Sequence, residues 1–177
     1  MSLVVVERSF ETPERFDELQ AREAAVASCL EEYRVRFMRT YFSLDGLRAV
    51  CLFDGPDAES VRRTQRVANV PLERAYRAEA VAEAEPPPGG SAEHLVIQMQ
   101  HADPISVAEL GSLWRDRLAR ADGAGARLQG AYLARGGRRS FSVIGAPTAE
   151  ALRATEVLRS LPRESAWPAK LHLSTSA

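Results

Sequence analysis

The sequence repeats itself over a long stretch. Residues 35–71 align without a gap on residues 126–162 when the chain is shifted by 91 positions. Ten residues are identical in the two copies, and in the first copy they are Arg36, Tyr41, Gly46, Arg48, Pro56, Ala58, Glu59, Arg62, Thr64 and Pro71. A long ungapped match between two halves indicates a duplicated folding unit, so we expect a tandem repeat whose second copy has diverged.

The first copy has a recognisable order of elements. Alternating or β-branched runs predict strands at residues 3–6, 35–43, 47–53 and 74–81, and helical spacing predicts helices after Thr12 and over residues 58–68. Asp45-Gly46 is the turn signal of a hairpin between the two middle strands. The order β-α-β-β-α-β is that of the ferredoxin-like arrangement, an antiparallel sheet with both helices on one face.

The second copy repeats this order from residue 94. Ser106 followed by Glu109 is the signature of a capping box that begins a helix, and a further helix is predicted over residues 149–160. The last predicted strand, residues 167–173, contains Pro168, which cannot donate a hydrogen bond to a neighbouring strand. We therefore expect this strand to lie at the edge of its sheet or to begin after the proline.

These elements predict an α+β fold class. A sheet with helices on one face leaves its other face uncovered. In both copies that face is apolar, as at Leu52 and Phe141, and a large apolar surface is normally buried against another surface. We therefore predict tandem ferredoxin-like βαββαβ units that cover each other's sheets in an intramolecular pseudo-dimeric α/β barrel. The expected domains are unit 1 at residues 1–81, a proline- and glycine-rich linker at 82–93, and unit 2 at 94–177.

Composition excludes several classes of function. With 23 basic and 24 acidic residues the net charge is −1, which does not provide the basic surface that nucleic-acid binding requires. No apolar run approaches the roughly 20 residues that span a bilayer, and the N-terminus lacks the pattern of a signal peptide. Cys29 and Cys51 have no cysteine counterparts in the second copy, so we expect reduced thiols and a cytoplasmic protein.

The candidate site residues are polar positions within or beside the predicted strands. Arg and Tyr on the middle strands could bind an anionic or phenolic ligand, and a buried carboxylate in the first strand would be a candidate base. The candidate ligand-binding residues are Glu7, Arg36, Tyr41, Arg127 and Tyr132. The alternative is structural: the tyrosines are buried rings with satisfied hydroxyls, and the arginine stems cover apolar surface.

The histidines raise the question of a metal site. His94 and His172 fall on the first and last strands of the second copy, which could bring them to the same end of a sheet. Two histidines with a carboxylate such as Glu93 would suit Ni(II), Cu(II) or Zn(II). The alternative is that both are solvated and unrelated. We assign no residue to a metal.

The first copy resembles a family of small bacterial proteins described as nickel-binding or of unknown function. The segments that carry the resemblance are Val6-Glu7-Arg8-Ser9-Phe10, Ser43-Leu44-Asp45-Gly46 and Gly55-Pro56-Asp57-Ala58-Glu59-Ser60-Val61. The resemblance covers residues 3–81 and, more faintly, the second copy. It implies a ferredoxin-like fold of the dimeric α/β-barrel type.

The sequence therefore leaves several functions open. We expect a cytosolic protein that binds a small molecule or has a structural role, with any ligand in a cleft between a sheet and its helices or between the two units. One alternative is a cofactor-independent enzyme of the monooxygenase or isomerase kind, and another is a divalent metal (nickel) protein. No cofactor is predicted and no membrane partner, and association into a homo-oligomer stays open.

Overall fold

The computed structural model describes residues 1–83, 93–120, 125–146 and 166–173. Its strands are β1 (Ser2–Ser9), β2 (Arg36–Ser43), β3 (Arg48–Gly55), β4 (Arg74–Glu83), β5 (Glu93–Gln100), β6 (Arg127–Ala134), β7 (Arg139–Ala146) and β8 (Ala166–Leu173). Its helices are α1 (Phe16–Ala24), α2 (Ala27–Glu32), α3 (Ala58–Val67) and α4 (Val107–Ala119). The helix predicted over 149–160 and most of the predicted linker lie outside the described residues.

The eight strands form one closed antiparallel sheet. Their order is β1-β3-β2-β8-β5-β7-β6-β4, and β4 adjoins β1. The predicted fold class, tandem ferredoxin-like units in a pseudo-dimeric α/β barrel, was therefore wrong, because the strands make a closed eight-stranded β-barrel. Local sequence patterns place individual strands, but closure depends on tilt and register between strands that are distant in the chain.

Closure also corrects the expectation for the last strand. β8 begins at Ala166, before the proline, and Pro168 lies opposite Leu95 of β5. The strand is not at an edge, because β2 and β5 are its two neighbours in the sheet. Pro168 has no backbone N–H to donate to a neighbouring strand, and the other residues of β8 maintain the pairing.

The chain divides into two compact units. The first comprises Met1–Ala78 together with the chain from Leu171, and the second comprises the residues between Glu79 and Lys170. β4 and β8 each cross this boundary, so the units do not coincide with the domains predicted at 1–81 and 94–177, and those domain limits stay a prediction.

The first unit buries its core between the sheet and helices α1 and α3. Asp57 caps α3 by accepting a hydrogen bond from the Ser60 backbone N–H at 2.7 Å, a role in which aspartate is among the preferred residues. The buried core residues include Val4, Val6, Leu19, Cys51, Phe53 and Val61. The alternate strand residues Val5, Val50 and Leu52 are also fully buried, although they belong to the opposite face.

The second unit buries a corresponding core beneath α4. Ser106 and Glu109 form the predicted capping box, in which each side chain bonds the other residue's backbone N–H. The core includes Leu95, Ile97, Leu110, Trp114, Leu133 and Ile144. None of the helices in the described part of the chain has the length and apolar character of a membrane span.

The two hairpins share details at a spacing of 91 residues. Strand β2 shifts register against β3 between Phe37 and Arg39, and β6 shifts against β7 between Leu128 and Gly130. Gly46 and Gly137 adopt positive φ angles of 73° and 75° at the turns. Duplication of the chain stays a hypothesis that accounts for this correspondence.

Candidate functional site

A groove opens in the second unit where α4 begins. It has a volume of about 430 Å³ and lies between the segment that leads into α4, the hairpin turn between β6 and β7, and one residue of β4. Its lining residues are Glu79, Pro104, Ile105, Ser106, Val107, Glu109, Leu133, Ala134, Arg135, Gly136 and Gly137. The groove therefore combines an apolar wall with charged groups at its rim.

Backbone contacts hold the two sides of the groove together. Ile105 N–H donates to the Gly137 carbonyl at 3.0 Å, and His101 N–H donates to the Arg138 carbonyl at 2.8 Å. A Cβ at Gly137 would lie 2.8 Å from the Ile105 nitrogen and closer still to the Ile105 carbonyl oxygen. Glycine is required here both by the positive φ and by this close approach.

A partly buried polar pair lies next to the groove. His101 Nε2 is 2.8 Å from Ser140 Oγ, and Ser140 is fully buried. Ser140 lies opposite Leu133, a groove residue, in the β6–β7 register. Burial lowers the pKa of His101 below its ordinary value of 6.5, which favours the neutral imidazole that can accept a hydrogen bond from the serine hydroxyl.

Sequence reasoning missed this pair, although a signal exists. The 91-residue shift places His101 on Phe10 and Ser140 on Ala49. Phe10 and Ala49 are both buried in the apolar core of the first unit. A polar pair has therefore taken the place of an apolar one beside the groove.

The groove carries charges of both signs. Glu109 is committed to the capping box, where its Oε2 accepts from the Ser106 N–H at 2.7 Å and from the Ser106 hydroxyl at 2.8 Å, and these bonds lower its pKa. Glu79 and Arg135 are exposed, and neither forms an ion pair with the other or with any other residue that the structure describes. One carboxylate and one guanidinium thus remain available to a ligand.

The predicted candidate Glu7 lies in the first unit. It is 2% exposed, its Oε1 accepts a hydrogen bond from the Tyr76 hydroxyl at 2.7 Å, and its Oε2 is 3.6 Å from Arg74 Nη1. In the second unit the indole N–H of Trp167 donates to Gln98 Oε1 at 3.0 Å. Trp167 and Gln98 are 91 positions after Tyr76 and Glu7. The same hydrogen bond therefore occurs in both units, with a carboxyl oxygen as the acceptor in the first and a carboxamide oxygen in the second.

The other predicted site residues differ in burial and in their contacts. Arg36 lies 3.5 Å from Asp54 at the surface, with its side chain 71% exposed, whereas Tyr41 is buried. Arg127 is exposed. Tyr132 is buried, stacks on Phe141 with ring centroids 4.5 Å apart, and donates to Glu83 Oε1 at 3.4 Å. None of the five predicted residues lines the groove, and their role as ligand-binding residues stays a prediction.

A buried ionic network supports the first unit. The Arg8 guanidinium donates to Glu23 Oε1 at 2.9 Å, to Gln65 Oε1 at 2.6 Å and to the Pro71 carbonyl at 2.7 Å. Burial raises the pKa of Glu23, and Arg8 opposes that rise. Burial likewise raises the pKa of the Cys51 thiol, which accepts from Arg8 Nε at 3.3 Å. This network is structural, because its groups are directed at one another.

The histidines considered for metal binding have other neighbours. His94 lies opposite Ala169 in the β5–β8 register and is buried, which lowers its pKa. His172 stacks on Phe16 with ring centroids 3.7 Å apart. Among the described residues, no group of three or more His, Cys, Asp or Glu side chains could hold a metal ion.

Known proteins resemble this chain in fold and, over one segment, in sequence. No curated protein matches the sequence. The structure is similar to a mutant chlorite dismutase from Candidatus Nitrospira defluvii in complex with cyanide, with a TM-score of 0.50 and 7% identity over 96% of this chain and 90% of that chain. It is also similar to a heme-binding protein from Thermus thermophilus, with a TM-score of 0.46 and 9% identity over 96% and 91% of the two chains.

A third similar structure is that of an anthrone oxidase-like protein, with a TM-score of 0.46 and 10% identity over 98% of this chain and 91% of that chain. At these identities the likeness concerns the fold alone. Residues 5–77 match the model of a family described as nickel responsive protein SCO4226-like, which confirms over that segment the resemblance expected for residues 3–81.

Proposed function

We propose that this protein binds a small organic molecule in the groove at the start of α4. The observation that supports the proposal is the groove itself, whose apolar wall and charged rim are typical of a site for a small ligand. The wall is made by Pro104, Ile105, Val107 and Leu133.

The family match suggests a metal as the other small ligand. Its members are described as nickel-responsive, but residues 5–77 of this chain contain no histidine. The described residues also provide no group of three side chains suited to a metal ion. We therefore propose an organic ligand for this chain rather than nickel.

A second candidate function rests on Glu7. A carboxylate 2% exposed and hydrogen-bonded by the Tyr76 hydroxyl at 2.7 Å is a candidate for proton transfer in a cofactor-independent enzyme. Tyr41 belongs to the same face of the sheet, because it lies opposite Val50, which in turn lies opposite Glu7. We rank this function second, since none of these residues lines the groove.

Blocking the groove tests the first candidate. Ala134 lines the groove and is half-buried, so Ala134→Trp would fill it with an indole ring. Ala108 lies exposed in the first turn of α4 without lining the groove, which makes Ala108→Trp the matched control. A fragment library would be screened by thermal shift against the unmodified protein and both variants.

We expect the fragments that stabilise the unmodified protein to stabilise Ala108→Trp equally and to lose about tenfold or more in affinity for Ala134→Trp. Equal stabilisation of both variants by every such fragment would contradict binding in the groove. Circular dichroism of the two variants would establish that both are folded.

A further inference from the structure

We propose that the ligand of the groove is a zwitterion, a molecule with one carboxylate, one ammonium group and an apolar side chain, such as an aliphatic amino acid. This inference rests on the proposed function and specifies its ligand class. It is carried by the two charged groups that the fold leaves available in one groove, the Glu79 carboxylate and the Arg135 guanidinium.

Glu79 and Arg135 share the groove without pairing. Among the described residues, salt bridges join side-chain nitrogens and oxygens at up to 3.9 Å, and Glu79 and Arg135 form none there, with each other or with another residue. Many other charged residues of the chain are paired, including Arg8 with Glu23 and Arg22 with Glu14. Opposite charges that share a groove without meeting can each take one charge of a ligand between them.

The charged groups of the groove favour a ligand with charges of both signs. The groove contains two carboxylates, Glu79 and Glu109, against the single guanidinium of Arg135. A simple anion would engage only Arg135 and a simple amine only a carboxylate, whereas a zwitterion would engage both. Because Glu109 is already bonded by Ser106, a ligand with one positive and one negative group matches what remains.

The apolar wall supplies the rest of the specificity. Ile105, Val107 and Leu133 line the groove beside these charged groups. A branched aliphatic side chain would cover this wall and remove it from water, which provides affinity without a directional bond. The arrangement fits leucine better than glycine or a strongly polar amino acid.

Three related compounds test the contribution of each ligand charge to binding. L-leucine has both, L-leucinamide has only the ammonium group, and N-acetyl-L-leucine has only the carboxylate. Binding to the full chain would be followed through the amide resonances of Ile105, Val107 and Gly136 in ¹H–¹⁵N spectra. We expect leucine to shift these resonances and each analogue to bind about two- to fivefold more weakly, the range for exposed ion pairs.

Variants then assign each charge to a residue. Arg135→Gln should weaken leucine and N-acetyl-leucine and leave leucinamide unchanged, whereas Glu79→Gln should weaken leucine and leucinamide and leave N-acetyl-leucine unchanged. Arg115→Gln, an exposed arginine of α4 outside the groove, is the control that should change nothing. Both analogues binding as tightly as leucine would overturn the zwitterion inference.

The inference and the proposed function can fail separately. If neutral fragments shift the groove resonances while leucine does not, the ligand class is wrong and the groove is still a binding site. If neither leucine nor any fragment shifts these resonances, both the inference and the proposed function are wrong.

Discussion

The imidazole Nε2 of His101 lies 2.8 Å from the hydroxyl oxygen of Ser140. The corresponding residues 91 positions earlier are Phe10 and Ala49, which are buried in the core of the first unit. Burial lowers the pKa of His101 below 6.5. As the pH falls through 6.5 the unfolded chain therefore takes up this proton before the folded protein does, and stability declines until the pH passes the pKa of the folded state.

We predict that His101→Phe combined with Ser140→Ala, which copies the pair of the first unit, makes the free energy of unfolding less dependent on pH. The measurement is urea denaturation at about pH 7.5 and about pH 5.5, on either side of the ordinary histidine pKa, for the double variant and the unmodified protein. Part of the dependence should remain, because burial lowers the pKa of His94 as well. An equal or steeper loss of stability in the double variant would contradict this account.

Much of the local structure was predictable from sequence. The Asp45-Gly46 turn, the Asp57 cap and the Ser106–Glu109 capping box are formed by residues within a few positions of one another, so their signals are local. Closure of the sheet was not predictable in this way. It depends on β8 lying beside β2 and on β4 lying beside β6, pairings between strands that are distant in the sequence.

The candidate site was predictable only in part. Burial of Glu7 and Tyr41 follows from their places in apolar strands, but sequence alternation does not reveal that Arg36 extends into water beside Asp54. Comparison of the two copies at matched positions would have drawn attention to His101 and Ser140. The groove was not predictable, since it is formed where residues of β4, the segment before α4 and the β6–β7 turn meet.

The network around Arg8 predicts that the free energy of unfolding depends strongly on the Arg8 guanidinium. Arg8→Met copies Met99, which occupies the corresponding position of the second unit. Because this change leaves the Glu23 carboxylate buried without its counter-ion, we expect a loss of about 3–5 kcal/mol in the free energy of unfolding.

Urea denaturation at neutral pH measures the loss in Arg8→Met. Adding Glu23→Gln to that variant should recover part of the stability, because it removes the uncompensated charge. A smaller loss in Arg8→Met than in the surface variant Arg36→Met would show that the buried pair does not have this role.

The hydrogen bond from Tyr76 to Glu7 predicts that the stability of the protein depends more on an acceptor oxygen at position 7 than on a negative charge there. Glu7→Gln keeps a carbonyl oxygen, as Gln98 does for Trp167, and should cost less than about 1 kcal/mol of stability. Glu7→Leu removes this acceptor and should cost about 1–3 kcal/mol. Thermal and urea denaturation of the two variants provide the comparison, and equal losses would contradict the prediction.

Two neighbouring glycines provide a test of how the groove is held. Both Gly136 and Gly137 have positive φ, but a Cβ at Gly136 meets no atom within 4 Å, whereas one at Gly137 collides with the Ile105 backbone. Gly136→Ala should therefore cost about 1 kcal/mol through backbone strain alone, and Gly137→Ala about 1–3 kcal/mol more. Similar melting temperatures for the two variants would argue against close contact between the turn and the segment before α4.

Ligand binding at the start of α4 can be located by a ¹H–¹⁵N titration of the full chain with the fragments selected by thermal shift. We expect the shifted resonances to concentrate at Ile105, Val107, Gly136 and Gly137, and we expect Ala134→Trp to abolish the shifts. Shifts concentrated instead around Glu7 and Tyr76, and retained in Ala134→Trp, would contradict binding in the groove and favour the second candidate function.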